Sequence, residues 1–113
     1  MDATWRFVRD QNVSRFLSRL EDEPDEGRRE TLRRLLISEE DMFGSLSERL
    51  RRVEGHIATV KSNIARQQQL LRAMAPGVSQ ELAETTLSRM IDIQAHFEDY
   101  RDRLLRRLDQ LEL

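Results

Sequence analysis

Between residues 46 and 74 the apolar residues alternate four and three apart: Leu46, Leu50, Val53, Ile57, Val60, Ile64, then Leu71 and Met74. The position between Ile64 and Leu71 holds Gln67, the first residue of a Gln-Gln-Gln run. A 3.5-residue repeat sustained this long draws one narrow apolar seam along a helix, and such a seam is stable only against another helix. The chain is therefore read as all-α. The 5% aromatic and 35% charged content fits long amphipathic helices with solvated outer faces and is poor for a sheet-based core.

Four helices are predicted. The first spans about 4–22, with Val13, Phe16, Leu17 and Leu20 on one face and Trp5 and Val8 earlier on it. Pro24 in the acidic run EDEPDE ends it, and Asp25 is placed to cap the next. The second, about 26–43, presents Leu32, Leu35, Leu36, Met42 and Phe43. Gly44 can close it, with Ser45 and Glu48 at capping-box spacing before the third; a kinked helix running on through Gly44 is the alternative. The third spans 46–74. After Pro76 and Gly77 the fourth runs over 79–112, capped by Ser79, with Met90, Ile93, Phe97, Tyr100 and Leu104 as its seam.

This divides one helical domain, 1–113, into a short helical hairpin (1–44) and a long antiparallel helical hairpin (45–113). The long helices measure roughly 45–50 Å and the short ones roughly 25–30 Å. Folded back at Gly44, the short pair covers residues near 46–60 and 95–112, packed through Trp5, Phe16 and Phe43. The distal part, 64–90, is then left bare while carrying Leu70, Leu71, Met74, Val78, Leu82, Leu87, Met90 and Ile91. A large exposed apolar surface marks a contact. The expected cover is a second copy of the chain, giving a dimeric helical bundle across a two-fold axis. Leu70, Leu71, Met74, Leu87, Met90 and Ile91 are its expected interface residues. Gln67 is either a buried amide that sets register or a solvent-facing residue near the tip.

Residues with chemical potential are few. His56 and His96 are the two histidines, at about the same level on the long helices, and Asp92 lies one turn before His96. Two histidines and a carboxylate are a zinc-type donor set; the plainer reading packs both rings beside the core, and no metal or cofactor is expected. His56, with Gly55 and Lys61 nearby, also offers a histidine phosphotransfer reading, although no nucleotide-binding segment accompanies it. A carboxylate-bridged di-metal site needs Glu three residues before His, and neither histidine has it. No cysteine is present, and the phosphate-loop, nucleophile-elbow and His-Glu-x-x-His motifs are missing, so an enzyme is not expected. Net charge is −2, which gives no general pull toward nucleic acid or membranes. The pairs Arg28–Arg29, Arg33–Arg34, Arg51–Arg52 and Arg106–Arg107 read as intrahelical ion pairs on a solvated face, such as Glu26–Arg29, Glu30–Arg33 and Asp102–Arg106. A nucleic-acid surface is the alternative. No apolar run has signal-peptide or membrane-span length, so a cytoplasmic protein is expected.

Two stretches carry a resemblance. NVSRFLSRL with RRETLRRLLISEE, through Asn12, Val13, Arg15, Phe16, Leu20, Arg29, Leu32, Leu35, Leu36, Glu39 and Glu40, resembles small helical-hairpin proteins of alpha-proteobacterial type. HIATVKSNIARQQQLL and the later RDRLL are similar to a second such group. The matching residues are His56, Ile57, Ala58, Ile64, Ala65, Arg66, Gln67, Leu70 and Leu71, then Arg101 to Leu105. The turn AMAPGVSQ departs from that second pattern. The resemblance implies architecture and a bacterial cytoplasmic setting, and no activity. The function expected is a non-catalytic protein–protein interaction module, a homodimeric adaptor or regulator whose further protein partner the sequence does not identify.

Overall fold

The computed structural model describes residues 3–42 and 44–112, with side chains for 6–42 and 44–111, and it is all-α. Its helices are α1 (Ala3–Asp22), α2 (Glu26–Asp41), α3 (Leu46–Ala73) and α4 (Val78–Glu112). α4 has 35 residues, about 52 Å at 1.5 Å per residue, and sets the 53 Å long axis of the molecule.

Local chemistry explains most of the boundaries. Asp25 is in an extended conformation before α2 and its carboxylate accepts from the Arg28 N–H at 2.9 Å. Ser45 does the same for α3, its hydroxyl accepting from the Glu48 N–H at 3.2 Å. These caps satisfy amides that have no partner within the helix. Gly44 has φ +90°, and a Cβ there would stand 2.8 Å from the Glu48 carboxylate. Only glycine fits, and the helix does not run on through it. Ser79 is not the cap of α4. The helix opens at Val78, and the Gly77 carbonyl accepts from the Glu81 N–H at 3.0 Å, so Ser79 already lies inside the first turn.

α3 and α4 form the most extensive contact in the fold. Gln67 lies against Ala83, and His56 lies against Phe97, so the two helices run antiparallel. Val53, Ile57, Val60 and Ile64 face Ile93, Phe97, Tyr100 and Leu104. Leu20 and Val13 of α1 and Leu32 and Leu36 of α2 close the same core, with Phe16 half-buried at its edge. Phe97 and Leu20 are fully buried. The packing roles expected of Trp5 and Phe43 fall on side chains outside the described residues.

α1 and α2 pack on each other and lie on one face of the α3–α4 pair. Their turn, residues 23–25, comes level with Arg89 and Asp92 of α4, because the Arg89 guanidinium donates to the Glu21 carbonyl at 2.8 Å. At the same level Arg29 donates to the Leu20 carbonyl and to Asp92. The last carbonyls of α1 are thus capped by arginines from α2 and α4, which offsets the acidic residues at that helix end. Beyond this level, residues 65–88 of the α3–α4 pair extend without α1 or α2 over them.

Candidate functional site

The face that α3 and α4 turn toward α1–α2 is made of two stripes. On α3 it holds Arg49, Arg52, His56 and Asn63; on α4 it holds Arg89, Asp92, His96 and Arg103. Residues seven apart fall on one stripe of a helix, and five of these side chains, Arg49, Arg52, His56, Arg89 and Asp92, fasten the short helices to the long ones.

Glu40 of α2 is 1% exposed. His56 Nε2 lies 2.9 Å from its Oε1, and Arg52 Nε lies 3.4 Å from its Oε2. Burial pushes the Glu40 carboxyl up, yet the hydrogen bond and positive charge of His56 and Arg52 outweigh this and hold it below the usual carboxylate range. An ionised Glu40 only accepts, so the proton on that hydrogen bond belongs to His56 Nε2. The His56 ring also stacks on Phe97, centroids 5.2 Å apart. A phosphoryl group on Nε2 would bring negative charge against a buried carboxylate. The arrangement suits an anchoring hydrogen bond.

Asp92 collects the second cluster. Its Oδ2 accepts from Arg29 Nη2 at 2.6 Å and from Arg33 Nη1 at 3.1 Å, and His96 Nε2 stands 3.7 Å from Oδ1. Burial raises this carboxyl, and the Arg29 hydrogen bond with the charges of Arg33 and His96 lowers it further than burial lifts it. Arg33 is also held by Glu26 at 2.6 Å and Glu30 at 2.7 Å. A third cluster closes the opposite end: Asp41 Oδ1 accepts from Arg49 Nη1 and from the Tyr100 hydroxyl, each at 3.1 Å. Burial pushes the Tyr100 phenol up, and the Asp41 carboxylate adds to it.

These contacts correct the reading of the arginine pairs and bear on the zinc-type alternative. The intrahelical pairs Glu26–Arg29 and Glu30–Arg33 do form, at 3.8 and 2.7 Å, but Arg29 and Arg33 are 5% and 7% exposed and reach across to α4. They are not on a solvated face. Asp102 pairs with Arg101 at 3.2 Å. The zinc-type set does not converge either: Asp92 and His96 are neighbours, whereas His56 is held by Glu40 and Phe97. Among the described residues no group of three His, Asp or Glu side chains could hold a metal ion. The sequence signal that was missed lies on α2, where Arg29, Leu32, Arg33, Leu36 and Glu40 recur at inward-facing spacing with charges among the leucines.

Beyond the α1–α2 turn the same two stripes change character. Seven residues past Asn63 the α3 stripe arrives at Leu70, which is 53% exposed. Seven residues before Arg89 the α4 stripe arrives at Leu82, 64% exposed, and fourteen before Asp92 it arrives at Val78, 73% exposed. Leu71 and Met74 are half-buried beside them. Gln67 is half-buried too and donates from Nε2 to the Ala83 carbonyl at 3.0 Å, joining α3 to α4 within the chain. The other expected interface residues lie elsewhere. Leu87 and Met90 pack against the chain's own core. Ile91, 49% exposed, is about half a turn of helix away from Leu82, on the opposite side of α4. Among the described residues no helix is long and apolar enough to cross a membrane.

The chain matches no known protein family, no curated protein and no solved structure.

Proposed function

We propose that this chain is a non-catalytic helical interaction module, an adaptor or regulator of a bacterial cytoplasm that works as a homodimer and presents helical faces to another protein. One observation carries the reading. The face that binds α1–α2 through ion pairs turns apolar where α1–α2 end, with Leu70, Val78 and Leu82 all more than half exposed. Exposed apolar residues scattered singly need no account, but a continuous group that extends a packed face does. The titratable clusters, in contrast, are occupied in holding the chain's own helices together.

The test is the mass in solution of the wild type and of Leu82→Glu, by sedimentation equilibrium. The wild type is expected to be a dimer at high concentration and the variant a monomer with unchanged helix content. A wild type that stays monomeric at several hundred micromolar would refute the homodimer.

A further inference from the structure

Resting on the homodimer reading, we infer that the second copy lies antiparallel across the bare end, so that the tip of each α3–α4 pair abuts the α1–α2 turn of the other and Arg72 of each tip faces Asp22 of the opposite turn.

Shape selects this arrangement. α1–α2 stand one helix layer, about 10 Å, above the face they cover. The face therefore has a step, with residues 65–88 as the lower tread, roughly 18 Å long. Two copies set parallel would meet first at their raised helices, leaving the apolar treads about two layers apart. An inverted copy fits, because its own tip is one layer thick and equally long. Leu70 and Leu82, near the middle of the tread, then meet the same residues of the other chain across the two-fold axis, while Val78 lies beside the opposite turn.

Charge selects the same arrangement independently. Residues 21–26 of the turn contain five acidic residues and no basic one. Residues 65–88 carry two arginines, Arg66 and Arg72, the latter in the last turn of α3 at the tip, and two glutamates on α4, Glu81 and Glu84. Within one chain the α1–α2 turn stops short of the tip, and a parallel pair would bring the two Arg72 side chains to the same end with neither near an acidic turn. Asp22 and Arg72 are both exposed, and each lacks an ion-pair partner among the described residues. Within the turn Glu23 and Glu26 are paired with Arg28 and Arg29 at 3.9 and 3.8 Å, whereas burial raises the Glu21 carboxyl and the neighbouring Asp22 raises it further. An arriving Arg72 relieves that repulsion.

Charge exchange tests the inference by sedimentation at low salt, using Arg72→Glu and Asp22→Arg. Both residues are exposed, so both variants are expected to fold as the wild type does by circular dichroism. Each variant alone sets like charges together at both symmetric contacts, and self-association is expected to weaken roughly ten-fold. Mixing the two variants restores an attractive pair at both contacts, and the heterodimer is expected to regain wild-type affinity. Dimers whose strength ignores both substitutions, or variants that fail to recover on mixing, would overturn this arrangement while leaving the homodimer standing. A monomeric wild type would remove both.

Discussion

Asp92 contributes more to this fold than its exposure suggests. Its side chain is 38% exposed, but the two guanidinium groups it neutralises are on side chains only 7% and 8% exposed. Removing one member of a buried ionic cluster leaves the rest uncompensated, which costs far more than a surface pair does. Asp92→Asn, which keeps the shape and removes the charge, is expected to destabilise the protein by about 2–4 kcal/mol in denaturant unfolding. Arg34→Ala, on a side chain 73% exposed, is expected to change stability by less than ~0.5 kcal/mol. Equal effects at the two positions would show that the cluster is no anchor. In sequence, Arg33 and Arg34 look alike. Their inward or outward direction was readable from the α2 periodicity. Their partner was not, because Asp92 lies 59 residues away from Arg33 and the choice of carboxylate depends on how α2 packs.

At the scale of elements, the α3 seam and the caps at Asp25 and Ser45 were legible because they depend on residues within one or two turns of each other. The extent of cover was not. The short helices reach Asn63 and Arg89, further along than helix length alone implied, since arginine caps on the end of α1 fix where the turn stops. Those fastenings make the attachment of α1–α2 sensitive to acid. Glu40, Glu30 and Asp92 have folded-state carboxyls held below their ordinary values of 4.5, 4.5 and 3.8. A depressed carboxyl stabilises the fold at pH above its unfolded value, and that stabilisation is lost as pH falls through the lower folded value. Glu21, shifted upward, acts in the opposite sense, one residue against three. Stability is therefore expected to hold from neutral pH down to about 5 and to decline below about 4.5. Hydrogen exchange should show α2 amides losing protection before those of α3. Simultaneous loss in both helices, or loss already at pH 6, would contradict this account.

The whole molecule, 53 × 29 × 27 Å, is a long helical pair with a shorter one covering part of a single face, and in the proposed homodimer the uncovered end would set how strongly two copies bind. That tread is about 18 Å long and about two helix diameters wide, a footprint of roughly 350 Å² per chain. Stable interfaces bury about 800 Å² per partner, and the abutting tips and turns add only their ends. The dimer is accordingly expected to dissociate in the micromolar range. Because association then takes place between folded chains only, it stabilises the folded state by mass action, with an effect that grows with concentration. The thermal midpoint of the wild type is expected to rise by several degrees between about 2 µM and about 500 µM protein. Leu82→Glu should give a midpoint that does not move with concentration and that equals the wild-type value at the dilute end, since Leu82 is exposed within the chain. A variant midpoint well below the dilute wild-type value would mean instead that Leu82 supports the chain's own packing, and the bare end would then lose one of its three exposed apolar contacts.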